Sequence, residues 1–231
     1  MSYIIKTQKA FSIFIIILIG FLFSGFLLKF CGIYIIKSDS MIPTLLSNDI
    51  ILIKKCNHDH INNILIFKNP NTQDELIIKR CIAEMYDTVL LSNDYLRILK
   101  NKTNKNVDHS IDYENKITVW NENTILIRDD TRFIIPGKNF CINKKSKNFN
   151  LYISIINYCE DHPYSYLPET TIDFCFKKDY YYMIGDYMEK SRDSRHFGPI
   201  PEDKIIGKAT HVLFNYHNGK FRWDRFLKKI E

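Results

Sequence analysis

The sequence predicts a mainly β protein: an N-terminal transmembrane helix followed by an antiparallel β domain. Two observations carry this. Residues 10 to 28, AFSIFIIILIGFLFSGFLL, form one uncharged apolar run. Beyond residue 31 the apolar residues instead fall in short runs rich in Ile, Tyr and Phe, punctuated by Asn, Asp, Gly and Pro, the pattern of strands and turns. A chain of 231 residues, 45% hydrophobic and 25% charged, can build one substantial core. Aromatic residues at 14% argue against disorder.

The first element is the apolar run. As a helix its nineteen residues rise about 1.5 Å each, roughly 28 Å in all, close to the hydrocarbon thickness of a bilayer. Lys6, Lys9 and the terminal amine precede it, and Lys29 and Lys37 follow. That small charge difference favours residues 1–9 in the cytoplasm and residue 31 onward outside. A cleaved signal peptide has a shorter apolar core, about 7 to 15 residues, and a small-x-small site behind it. The KFCGIYIIK that follows offers no such site, so residues 10–30 read as an uncleaved single-pass anchor.

The next elements are the short runs GIYIIK, DIILIKK, NILIFK, ELIIKRCIA, KITVW, TILIRD, RFIIP, TIDFCF, YYYMIGD and KATHVLFNYH. β-Branched and aromatic residues suit a pleated, half-buried surface. The set predicts antiparallel sheets packed or coiled on one another over 31–231. One helix is predicted over 148–159, NFNLYISIINYC, with Leu151, Ile155 and Tyr158 on one face. The stretch from about 87 to 178 is richer in Asn and Lys and less regular. It reads as a smaller subdomain inserted in the β domain.

The charge of +6 is scattered; clusters such as KNKTNK and NKKSKN lack interleaved aromatics. They read as solvated loops and not as a nucleic-acid surface. The cysteines at 31, 56, 81, 141, 159 and 175 form no CxxC pair and no zinc spacing. Most read as small buried hydrophobes, with one disulfide open to an exported domain. The HDH of His58 to His60 has no third ligand in view and reads as an exposed turn.

Two serines two apart, Ser38 and Ser40, stand just beyond the apolar run. A serine hydroxyl is a poor nucleophile until a base takes its proton. The sequence has no GxSxG elbow, and neither His162 nor His196 has a recognisable partner. A lysine can serve if it is neutral, and burial in apolar surroundings lowers its pKa. Lys79 in ELIIKRCIA meets that condition: strand alternation puts Ile77, Lys79 and Cys81 on one face and Arg80 on the other. From these residues alone, a lysine on the polar side of an edge strand reads the same way.

Four segments add to this reading. SDSMIPTL (38 to 45), NDIILIKK (48 to 55), IIKRCIA (77 to 83) and YYYMIGDYMEKSRDSRHFGPIPEDKIIGKA (180 to 209) follow one another in order. In that order the chain resembles bacterial signal peptidase I, the membrane-bound Ser/Lys protease that removes signal peptides. The resemblance implies Ser40 as nucleophile and Lys79 as general base. It implies that the Ser38 hydroxyl joins the Ser40 backbone N–H in the oxyanion hole, and that Ser191 orients the lysine. Arg80, Asp186, Asp193 and Arg195 are implied as charged residues that brace the site, as an ordinary ion-pair network also would. The implied fold is the antiparallel β-sheet peptidase domain of that family with its variable inserted subdomain. The implied localisation is the cytoplasmic membrane with the peptidase domain on the extracytoplasmic side. The implied partners are the lipid bilayer and exported preproteins with small residues before the cut, and no metal or cofactor is implied.

There are departures from the family pattern. Tyr187 and Met188 replace the usual Asn and Arg after Gly-Asp, and Phe197 stands where a Trp is usual. AEMYD (83 to 87) stands in place of a second Gly-Asp. The C-terminal GKFRWDRFLKKI mixes Phe221, Trp223 and Phe226 with five basic residues. It fits a contact with anionic headgroups or a last strand with a solvated tail. Two other readings remain. Self-cleaving repressors share the Ser/Lys chemistry but carry a DNA-binding domain in place of a membrane helix. A membrane-anchored binding protein on the same scaffold would have lost the chemistry.

Overall fold

The computed structural model describes residues 31–56, 60–70, 72, 75–91, 96–101, 111–113, 131–146, 149–159 and 173–231. The predicted anchor and the expected strands KITVW and TILIRD lie outside them. Among the described residues no helix is long and apolar enough to cross a membrane.

The chain opens with β1 (Cys31–Ile35), β2 (Asp49–Lys54), β3 (Ile64–Lys68) and β4 (Leu76–Ala83). Next come β5 (Thr88–Leu91), β6 (Leu96–Leu99), β7 (Ile111–Tyr113), β8 (Thr131–Ile134), β9 (Cys141–Asn143), helix α1 (Asn150–Cys159) and β10 (Asp173–Cys175). The last part holds β11 (Tyr180–Ile184), the short helix α2 (Ser194–Phe197), β12 (Ile200–Pro201), β13 (Ile205–His217), β14 (Lys220–Phe221) and β15 (Lys228–Lys229).

The main sheet runs in the order β1-β2-β13-β3-β4-β11-β12, with β14 and β15 also pairing with β13. Each neighbouring pair in it is antiparallel. β13, thirteen residues long, pairs with β2 along one part and β3 along another, with register shifts between Ile205 and Gly207, Ala209 and His211, and Val212 and Phe214. Such irregularities bend a strand and increase its twist, so one strand carries the sheet around a corner. Alternation then divides the side chains between two cores. From β3, Ile64 and Ile66 pack with Met41, Leu45 and Ile51, whereas Leu65 and Phe67 pack with Cys81, Met183 and Phe197.

Between β4 and β11 the chain builds a second sheet, β7-β6-β5-β8, and the hairpin β9–β10. Cys141 and Cys175 are register partners in that hairpin and are joined by a disulfide. Helix α1 begins at Asn150, two residues later than predicted. Ile155 is buried as expected, joined by Tyr152 and Ile156; the side chains of Leu151 and Tyr158 lie outside the described residues. All three pack with Val89, Phe133, Phe176 and Tyr182 in a third cluster.

One expectation needs correction. His60 is not in an exposed turn: it is buried, with its ring edge-on to Tyr181 at 4.6 Å between centroids. Its apolar neighbour outweighs the polar look of the HDH run, whose His58 and Asp59 lie outside the described residues. The C-terminal segment does end in strands, as one of its two readings expects. It returns twice to β13 through β14 and β15, and Arg225 between them is buried. Phe214, Phe221, Trp223 and Phe226 form a chain of ring contacts on this segment, with Trp223 77% exposed.

Candidate active site

The segment after β1 leaves the sheet at Ile36 and folds into a tight turn. Ile42 N–H donates to the Asp39 carbonyl at 3.1 Å and Leu45 N–H to the Met41 carbonyl at 2.9 Å. Met41 and Leu45 are fully buried, which anchors the turn and leaves Ser38 and Ser40 at its start. Their hydroxyls lie 3.2 Å apart. Lys79 enters from β4 and donates from Nζ to Ser40 Oγ at 2.5 Å and to the Ile78 carbonyl at 2.9 Å. Ser40 is only 4% exposed and Lys79 only 3%. Burial lowers the Lys79 pKa to about 8, against the opposing pull of Asp193 and Asp186.

The segment after β11 closes the other side. Gly185 is required here by close approach. A Cβ on it would lie 2.1 Å from Ser191 Oγ and 2.6 Å from the Ser40 carbonyl oxygen. The Tyr187 N–H donates to that same Ser40 carbonyl at 3.0 Å. Ser191 donates its hydroxyl to Asp193 Oδ2 at 2.6 Å, and Gly185 N–H donates to the same oxygen at 3.1 Å. Arg195 pairs with both Asp193 oxygens, at 2.8 and 2.9 Å, and both residues are buried. Burial works against the Asp193 charge, but hydrogen bonds from His196, Arg195 and Ser191 and the Arg195 charge outweigh it. They hold the carboxyl far below the usual range. On the other flank Arg80 grips Asp186 through two bonds of 2.8 Å, and Thr44 Oγ1 donates to Asp186 at 2.5 Å.

The structure therefore brings Ser38, Ser40 and Lys79 together at one cleft, with Ser191 beside Gly185 and Asp193 behind them and the pairs Arg80–Asp186 and Asp193–Arg195 around them. The Ser191 hydroxyl, expected to orient the lysine, donates its proton to Asp193. The departures also find places. Tyr187 and Met188 both serve through main-chain groups, since the Met188 carbonyl accepts from Arg195 at 2.7 Å, so their side chains are not needed for those bonds. Tyr86 has φ 69°, a left-handed backbone that favours glycine. Tyr86-Asp87 thus occupies the place of a Gly-Asp turn. Phe197 packs against Phe67 at 6.3 Å between centroids. Sequence reasoning gave no role to Gly185, Thr44, Asp49 or Arg225. The first three stood inside the quoted segments, whereas nothing in RWDRF separates Arg225 from its basic neighbours.

Above Ser40 lies a cleft of about 680 Å³, lined by Tyr34 to Ser38 on one wall and by Leu76 to Lys79, Lys190 and Arg192 on others. Residues 76–79 of β4 pair with β3 on one side, and β11 begins its pairing only at Arg80. β1 is the terminal strand of the sheet. Two strand edges thus border the cleft. Among the described residues no group of three or more metal-ligand side chains occurs.

A coiled antiparallel sheet that buries a lysine amine against a serine hydroxyl, beside an open cleft, defines a protein of the serine hydrolase kind. The chain belongs to the signal peptidase family, peptidase S26, whose model matches residues 5–214; this is a family of serine endopeptidases. It is 27% identical to signal peptidase I of Aquifex aeolicus over 81% of this chain and 76% of that protein. It is also 27% identical to signal peptidase I of Buchnera aphidicola subsp. Schizaphis graminum, over 81% of this chain and 69% of that one. Signal peptidase I of Helicobacter pylori (strain ATCC 700392 / 26695) is 24% identical over 85% and 84%.

Proposed function

We propose that this chain is a signal peptidase I that cleaves signal peptides from exported preproteins through an acyl-enzyme on Ser40. The observation that carries the reading is the 2.5 Å contact between Lys79 Nζ and Ser40 Oγ, made by an amine whose pKa is brought to about 8. Neutral Lys79 takes the Ser40 proton as Oγ attacks the scissile carbonyl, hands it to the leaving amine, and then activates the water that releases the acyl group. The Ser38 hydroxyl and the Ser40 N–H face the developing oxyanion, and one such donor is worth roughly 3 kcal/mol. Ser191, its proton committed to Asp193, presents only acceptor lone pairs, the polarity that a lysine N–H needs. Arg80, Asp186, Asp193 and Arg195 hold this arrangement without touching substrate. The chemistry uses no metal or cofactor.

The substrate lies extended in the cleft, adding its backbone to the edges of β1 near 33–38 and β4 near 75–79. Small residues before the cut fit the shallow apolar walls. Residues 10–30 anchor the chain in the cytoplasmic membrane, and 31–231 form the extracytoplasmic peptidase domain, with about 87–178 as its inserted subdomain. The Cys141–Cys175 disulfide supports the extracytoplasmic side, because such bonds persist in oxidising compartments. The reading as a binding protein with lost chemistry is not favoured, since the serine and lysine remain in contact. The test uses the full chain in detergent with a preprotein. Ser40→Ala and Lys79→Ala should each abolish cleavage, and normal cleavage by Ser40→Ala would sink the mechanism.

A further inference from the structure

The turn that carries Ser40 is closed by hydrogen bonds of its own, and two outside walls fix where it stands. One wall is the site itself: Tyr187 N–H holds the Ser40 carbonyl, and Asp186 accepts the Thr44 hydroxyl. The other wall comes from the far end of the sequence. Arg225, 3% exposed, donates from Nη2 to the Thr44 carbonyl at 3.0 Å, and its guanidinium pairs with both carboxylate oxygens of Asp49. Asp49 in turn accepts from the Leu46 N–H at 2.8 Å and from Asn215 Nδ2 at 2.8 Å, and Asn215 also donates to the Ser47 carbonyl at 3.0 Å. Thr44 is the hub, its hydroxyl tied to one wall and its carbonyl to the other, one turn beyond Ser40. Arg225 also lies beyond residue 214, where the family match ends.

We propose that Arg225 is a positioning residue for cleavage: through Thr44 and Asp49 it fixes the turn that aims the Ser40 hydroxyl. The proposal rests on Ser40 being the nucleophile. A guanidinium suits the place because its rigid fork meets acceptors on two residues at once, whereas an ammonium supplies the charge without that span. Lost aim acts on the chemical step, and misplacement of a reacting group by about 1 Å costs on the order of a hundredfold in rate. A purely structural arginine would alter melting and leave turnover per folded molecule untouched.

The experiment compares Arg225→Lys and Arg225→Met with the unsubstituted full chain in detergent, on a preprotein-derived peptide. It reads kcat, KM, the pH inflection, and the folded fraction by circular dichroism. Expected are a fall in kcat of about tenfold for Lys and about a hundredfold for Met, with KM held within about twofold and the pH inflection unmoved. If the Met variant melts below the assay temperature, the Lys variant decides alone. Unchanged kcat per folded molecule in Arg225→Lys overturns the proposal. So does a moved pH inflection, which would place the effect on Lys79. Ser40→Ala run in parallel separates the two claims. Residual cleavage there breaks the nucleophile assignment; an inactive Ser40→Ala beside a fully active Arg225→Lys breaks only this one.

Discussion

Changing pH changes the fraction of Lys79 that can accept a proton, and the structure says by how much. With a pKa of about 8, about one lysine in eleven is neutral at pH 7 and about one in a hundred at pH 6. An unburied lysine would be neutral only about once in several thousand molecules at pH 7. Burial therefore raises the competent fraction a few hundredfold, and kcat/KM should climb about tenfold per pH unit below 8 before levelling near 9. The assay is kcat/KM from pH 5.5 to 9.5 on a peptide with no titrating side chain. Asp193 keeps its contribution to the fold throughout this window. The depressed Asp193 pKa gives stability that is present above the carboxylate's unfolded value and lost only as pH falls below it, near 4 and under. A flat profile down to pH 5.5 would refute lysine as the base, and an inflection near 6.5 would point to a histidine.

Two further outcomes follow from the same geometry. Gly185→Ala puts a methyl group against Ser191 Oγ and the Ser40 carbonyl. Activity should fall by about a hundredfold or more with the fold retained, and near-normal kcat would show that the segments around Gly185, Ser191 and Ser40 part without harm. Lys79→Met should abolish cleavage yet raise the melting temperature at pH 7. The lowered pKa of Lys79 means that its charge opposes folding below about pH 8, by up to about 3 kcal/mol, an effect that fades as pH rises toward 10.5. Thermal melts at pH 7 and pH 10 check it; equal shifts at both would sever the link to the charge.

Much of this site could be read from the chain because it depends on local pattern. Alternation put Lys79 in an apolar strand, and ordered segments paired it with Ser40, 39 positions earlier. The remaining features depend on tertiary packing that no local pattern encodes. His60 looks like a surface residue until Tyr181 arrives beside it from a distant strand. Arg225 sits in a basic, aromatic stretch, and only the fold shows it turning inward to Asp49, 176 positions away. Tyr86 breaks a glycine rule in the sequence, and the backbone obeys the rule regardless. The disulfide belongs to the same group: six cysteines leave many pairings, and the register of β9 against β10 selects one.

The two strand edges along the cleft, unpaired among the described residues, also bear on solubility. An unpaired strand edge invites any other edge to join it, and proteins commonly blunt such edges with charge, proline or a covering element. None of these devices would suit a strand that has to accept a guest backbone. Here β1 and the first half of β4 border the same cleft. On the proposed function, the cleft would leave both edges open to a substrate strand while limiting access by a whole sheet.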